Sequence, residues 1–252
     1  MRRVAIIAVV LLWASCAPAM ADEIKVLSPG AMMSSLKELV PQFEASSGYK
    51  VAVTYSPALA LAERIKDDEP ADVVILGGGP AENLEKLGKL VAGSSTVIGR
   101  VGIGVFVRRG DPKPDISSVD AFMQALVSAK VIAYSDPALG GTASNYVASM
   151  LTLLDVTGSI KEKTKLAARY RSLADFVAGG NADFGLNQIA EIAADPRLEL
   201  VGPLPAPLQR YTNYTAALVA IGRNQGAARD LIDFLASPAA SEIMKSRGFE
   251  PL

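Results

Sequence analysis

Along this chain, apolar positions recur in two rhythms. Short runs or alternations with a period of two give way to segments in which they return every three or four residues, and that succession predicts strands followed by helices. Strands are expected at 24–27, 51–55, 71–76, 97–107, 131–134, 183–187 and 214–221. Between them Leu36, Leu39, Val40 and Phe43 share one helix face, in a helix that Gly48 should end and Pro41 should kink by removing a backbone donor. Further helices are expected at 59–65, 81–87, 117–128 with Ser117 as cap, 142–154 with Tyr146, Met150 and Leu153 on one face, 170–178, 227–235 and 239–247. The run 71–76 is continuously apolar, as in a strand buried on both faces, and 97–107 is long enough to pass between lobes. The prolines of 202–207 predict a stiff, extended connection.

Regular alternation of strand and helix argues for an α/β chain with mainly parallel sheets. Three of its junctions pass through a small-residue turn: Ser28-Pro29-Gly30-Ala31, Ser56-Pro57-Ala58 and Ser135-Asp136-Pro137-Ala138. A helix start leaves backbone N–H groups unpaired and adds roughly half a positive charge, so it can hold an anion without a charged side chain. Three such starts predict a shared cleft.

The first 21 residues read as an export leader: Arg2 and Arg3, an apolar run from Val4 to Trp13, then Ala19-Met20-Ala21 before the expected cut. No later apolar run reaches the ~18 residues of a membrane span, so a soluble exported protein is expected, in the periplasm. Cys16, the only cysteine, falls in the leader, and Trp13 stands where a lipid-attachment site would want an aliphatic residue, which disfavours an anchor there. Disulfides and thiolate metal sites are then excluded from the mature chain, and so is tryptophan fluorescence, since the single Trp leaves too. Loss of Arg2 and Arg3 leaves 23 basic against 26 acidic residues, a near balance that gives no footprint for nucleic acid or an acidic membrane. The absence of histidine removes Ser-His-Asp, Cys-His and His-metal chemistry, leaving only carboxylate, Lys or Tyr groups to an enzyme. No convergent acid/base pair is evident in the sequence.

Four segments resemble the periplasmic solute-binding proteins of ABC importers, specifically the molybdate-binding, ModA-type branch: VLSPGAMMSSLKELVPQFEASSG at 26–48, ALALAERIKDDEPADVVIL at 58–76, GNADFGLNQI at 180–189 and DFLASPAASEIMKSRGFEP at 233–251. The strand start Pro70-Ala71-Asp72 and the FLASP…GFEP ending are the more specific signals. The resemblance implies a type II periplasmic-binding-protein fold: two α/β lobes joined by two crossing strands, with a ligand cleft between them. Lobe I would comprise 22–103 and 213–252, and lobe II 104–212. It further implies a hinged, flytrap-like monomer without cofactor or catalysis, which captures a small anionic ligand and hands it to an importer's permease and ATPase.

Family members that hold molybdate use hydroxyls from two lobe I turns, backbone amides and a lobe II tyrosine. On this chain the first serine position falls on Ala31, the second on Pro57 or Ala58, and the tyrosine on Gln188, so none of these side-chain donors is kept. The amide positions fall near Thr142 and Tyr170. Pro57 also lacks an N–H. Ser28, Ser34, Ser35 or Ser56 could supply hydroxyls instead, although turn stabilisation is the commoner use of such serines. Ala31, Met32, Ala58 and Leu59 make the lobe I wall apolar, whereas Tyr134, Thr142, Ser144, Asn145, Tyr170, Arg171, Asn187 and Gln188 give lobe II polar groups. Arg171, more than Arg169, is placed to pair with a carboxylate. The expected ligand set is Gly30, Ala31, Met32, Ser56, Pro57, Ala58, Thr142, Tyr170, Arg171, Asn187 and Gln188, for an inorganic oxyanion or a small organic anion. The competing expectation is a secreted enzyme on the same two-lobe fold.

Other motifs carry less. Gly99, Gly102 and Gly104 lack the strand–turn–helix setting of a dinucleotide fingerprint, and Gly77 to Gly79 lacks the Lys and Ser/Thr of a phosphate loop. Asp67-Asp68-Glu69 reads as a solvated turn, Asn213-Tyr214-Thr215 as a strand start, and Met32-Met33 as core.

Overall fold

A computed structural model describes residues 23–154, 158, 161–168 and 170–250. The expected leader with Cys16, as well as Arg169 and the side chains of Tyr170 and Arg171, lies outside the described residues.

The strands are β1 (Glu23–Ser28), β2 (Lys50–Tyr55), β3 (Val73–Gly77), β4 (Thr96–Arg108), β5 (Ile132–Ser135), β6 (Thr164–Ala167), β7 (Phe184–Gln188), β8 (Leu198–Pro203) and β9 (Tyr211–Leu218). The helices are α1 (Met33–Ser47), α2 (Ala58–Lys66), α3 (Pro80–Lys86), α4 (Val119–Ser128), α5 (Thr142–Leu153), α6 (Tyr170–Ala178), α7 (Ile189–Ala193), α8 (Gln225–Leu235) and α9 (Pro238–Ser246). Hydrogen bonding orders the strands β2-β1-β3-β9-β4-β7-β5-β6, with β8 also on β4.

The long strand β4 changes partners along its length. Thr96 to Gly102 pair antiparallel with β9, and from Ile103 onward the partners are β7 and β8. Within each half the remaining strands are parallel, β1 with β2 and β3, and β5 with β6 and β7. The fold is therefore two α/β lobes with crossing strands between them. At the changeover the side chain of Gln209 replaces a strand: its Nε2 donates to the Ile103 carbonyl and its Oε1 accepts from the Ile103 N–H, both at 2.9 Å.

Each lobe has its own core. Ile24, Met32, Leu36, Leu39, Phe43, Val73, Ile75, Tyr214 and Leu231 pack in one, and Val105, Phe122, Leu126, Ile132, Val147, Met150 and Leu186 in the other. Full burial of such a side chain contributes about 1.5–3 kcal/mol. The buried strand expected at 71–76 is β3, whose five residues are all buried. Pro70-Ala71-Asp72 acquires a structural reason here. The Asp72 carboxylate, 4% exposed, accepts from the N–H groups of Lys25 (2.8 Å), Arg223 (2.8 Å) and Asn224 (3.0 Å), joining β1 to the chain leaving β9.

Several expectations need correction. α1 runs unbroken through Pro41, on its exposed side, to Gly48 at φ 78°. The α4 cap is Ser118, whose hydroxyl accepts from the Ala121 N–H, not Ser117. Leu153 is 86% exposed and does not share the buried face of Met150. Edge strands β6 and β8 and the short α7 were not expected. β6 leaves Lys165 and Leu166 exposed and so carries no apolar alternation. The stretch 202–207 ends β8 and then forms a 3-10 turn at Ala206–Leu208 instead of an extended connection. Finally, the third small-residue turn leads into a 3-10 turn at Pro137–Leu139, and α5 begins only at Thr142 after Gly140 and Gly141.

Candidate functional site

A cleft of about 1310 Å³ opens where the two halves meet, at the carboxyl ends of β1, β2, β5 and β7. It brings together Gly30, Ala31, Ser56, Pro57, Ala58, Thr142, Asn187 and Gln188 from the expected set, with Ser34, Tyr214 and Glu191 in addition. Met32 is a correction: its side chain is fully buried in the core and its N–H donates to the Pro29 carbonyl at 3.1 Å, so it does not line the cleft. Tyr134, 8% exposed, likewise packs in a core, and burial raises its phenol pKa.

Backbone donors come from two helix starts. α2 follows Pro57 and α5 follows Gly141, neither start having a side-chain cap, so their first N–H groups have no intrahelical acceptor. Leu59 in the first turn of α2 lies against Gly140 across the cleft: a Cβ on Gly140, at φ 71°, would sit 2.6 Å from the Leu59 Cβ. This contact sets how closely the two helix starts approach.

The serines sort by what holds their hydroxyls. Ser28 is buried and turns to the Pro29 carbonyl (3.3 Å), Ser144 donates to the Gly141 carbonyl (3.0 Å), and the Ser56 hydroxyl accepts from Arg64 Nη1 (2.7 Å). The Ser34 Oγ is buried at the cleft wall without a partner among the described residues, which makes it a hydroxyl available to a ligand. Ser35 is also unpartnered but does not line the cleft.

The floor is polar. Gln188, 3% exposed, receives the Tyr214 hydroxyl proton on Oε1 at 2.6 Å, while its Nε2 is buried at the cleft with no partner among the described residues. Tyr214 is in turn wedged by the chain ending, since Phe249 packs edge-on at 5.7 Å and Gly248, at φ 87°, abuts Ala190. Gly248 and Phe249 of the terminal motif thus support the cleft floor.

Glu191, four residues after Asn187, takes the Asn187 amide N–H on Oε2. It keeps a partly exposed rim on the cleft and is otherwise enclosed by protein, and this desolvation, offset in part by the Asn187 bond, pushes its pKa up to about 7. Its Oε1 lies towards Gly30, 3.6 Å from where a Cβ would stand. Tyr214 is held protonated above its usual range, first by burial and then by the Glu191 charge. Glu191 and Tyr214 went unread in the sequence; an Asn-Gln-x-x-Glu pattern at a strand end is the only local signal. At the lips, Arg247 pairs with Glu38 (2.7 Å), and Arg197 pairs with Asp195 (2.6 Å), holding that carboxyl below its usual range. Among the described residues no cluster of acidic groups could hold a metal ion, and no helix is long and apolar enough to cross a membrane.

Residues 24–250 match the family of bacterial extracellular solute-binding proteins. The chain is 33% identical over 232 residues, 90% of its length and 87% of the other, to a Pseudomonas protein named aconitate isomerase. It is 26% identical over 247 residues, 93% and 92% of the two chains, to the molybdate-binding protein ModA of Azotobacter vinelandii. Among solved structures, the sulfate-binding protein SubI of Mycobacterium tuberculosis H37Rv superimposes with a TM-score of 0.74 at 20% identity, over 91% of this chain and 87% of that one, a likeness of fold. The chain belongs to the bacterial extracellular solute-binding proteins and has the two-lobe build of their ModA-type periplasmic members.

Proposed function

We propose that this protein captures a small organic polycarboxylate between lobes formed by 22–103 with 213–252 and by 104–212, and delivers it in the periplasm to the permease and ATPase of an ABC importer. One observation carries the choice of ligand class: the wall formed by Ala31, Pro57 and Ala58 offers no side-chain donor. A tetrahedral oxyanion needs most of its oxygens bonded, each missing bond costing about 1–3 kcal/mol. An organic acid divides better over this surface. Its carbon skeleton meets the alanines, and its carboxylates meet the Ser34 hydroxyl, the Gln188 amide and the starts of α2 and α5. The name of the Pseudomonas relative points to the same class, a propene tricarboxylate.

Thermal-shift titration tests this with molybdate, tungstate, sulfate, phosphate and di- and tricarboxylates. A ligand at 100 times its Kd stabilises by about 2.7 kcal/mol, and tricarboxylates are expected to give the largest shift. A shift with molybdate alone would overturn the organic reading. That relative bears an enzyme's name, so the expectation of a cleft without catalysis stands beside a catalytic reading, which Glu191 favours.

A further inference from the structure

Resting on that reading of the cleft as a polycarboxylate site, we propose that Glu191 is a catalytic residue that moves a proton between two carbons of a bound unsaturated acid and thereby shifts its double bond. The substrate class is a di- or tricarboxylate with a C–H flanked by a carboxylate and a carbon–carbon double bond.

For capture alone, Glu191 is the wrong residue. An anion beside it raises the energy of its charged form, and a glutamine of the same shape would bind the anion better. For proton transfer its placement is suitable. Asn187 fixes Oε2 from one turn behind, and Oε1 lies towards Gly30, both residues lining the cleft. Ala31, Ala58, Ala143 and Ala190 line the same cleft and give it small apolar groups for the carbon skeleton. Gln188 Nε2, Ser34 Oγ and the start of α5 supply donors for the carboxylate on which negative charge develops. A carboxyl whose affinity for protons is raised to near neutrality can both take and return one. Tyr214 keeps its proton and acts as a positioning residue through Gln188.

The step balances within the substrate. The Glu191 carboxylate takes the proton as the C–H bond breaks, and the electron pair spreads through the double bond onto the adjacent carboxylate. Glu191 then returns the proton to the far carbon of the three-carbon unit, a new C–H bond forms, and the double bond lies one position along. No oxidant, reductant or second base is required.

The test uses the exported chain with cis- and trans-propene-1,2,3-tricarboxylate and the saturated propane-1,2,3-tricarboxylate. Calorimetry reads binding, and proton NMR in D₂O reads deuterium uptake and interconversion. The wild type is expected to bind all three and to exchange and interconvert the unsaturated pair only. Glu191→Gln should bind at least as tightly while exchange falls at least 1,000-fold, and Glu191→Asp, which withdraws the carboxyl by one methylene, should fold, bind and exchange at least 10-fold more slowly. Binding without exchange in the wild type, or undiminished exchange in Glu191→Gln, overturns the proton shift and leaves capture standing. Absence of binding by every carboxylate overturns both.

Discussion

The Tyr214 hydroxyl donates to Gln188 Oε1 at 2.6 Å, tying β9 to β7 beneath the cleft. Both residues are almost wholly buried, so the bond is strengthened by its surroundings and expensive to leave half made. Tyr214→Phe keeps the ring packing on Phe249 and strands the Gln188 oxygen. The expected cost is about 1–3 kcal/mol in urea unfolding, with weaker binding of the carboxylate that stabilises the wild type. An unchanged midpoint together with unchanged affinity would show that this bond neither supports the floor nor orients Gln188.

Glu191 makes stability depend on pH. Between about pH 4.5 and 7 the folded chain holds a proton on Glu191 that the unfolded chain has released, so this group's contribution to stability is fully present below 4.5 and is lost as pH rises through 7. The loss amounts to at most about 3 kcal/mol, less to the extent that the cleft admits water. Urea midpoints at pH 5 and pH 8 should differ more for the wild type than for Glu191→Gln, and equal differences would remove Glu191 as the source.

Gly140→Ala should hold the lobes apart. Its φ of 71° is unfavourable to any side chain, and the new methyl would meet the Leu59 Cβ at 2.6 Å. Ligand affinity is expected to fall at least tenfold, with a larger radius of gyration in the ligand-saturated state by X-ray scattering. Gly140→Ala in a Leu59→Gly background should recover part of the affinity; no recovery would place the whole effect in backbone strain.

Asp72→Ala removes one acceptor from three N–H groups at 2.8–3.0 Å. Destabilisation of about 3 kcal/mol is expected, with ligand specificity unchanged because Asp72 does not line the cleft. A loss below 0.5 kcal/mol by urea unfolding would mean that water satisfies these groups.

Ser34→Ala should weaken carboxylate binding about tenfold, the value of one good hydrogen bond to a charged group, with little effect on the unliganded melting temperature. A drop in stability without loss of affinity would assign the hydroxyl to the helix instead.

The sequence by itself determined the elements and their class. Periodicity depends on which face of each segment is buried, so β3, the buried face of α1 and the strand-crossing length of β4 were all legible, whereas of the three small-residue turns only Ser56-Pro57-Ala58 leads directly into an α-helix, the other two passing through 3-10 turns. Edge strands β6 and β8 escaped because one-sided pairing imposes no apolar alternation. The loss of hydroxyls at Ala31 and Pro57 was equally plain from residue identity. Only the tertiary structure decided which remaining polar groups stand at the cleft without a partner among the described residues. Ser28 and Ser144 turn back to carbonyls while Ser34 does not, and nothing local distinguishes them. Glu191 reads along the chain as one more surface acid. Burial by elements distant in sequence, with Gly30 from one lobe opposite and Tyr214 from the returning strand nearby, raises its proton affinity. Desolvation is a property of the whole assembly of lobes, and it cannot be written into any single segment.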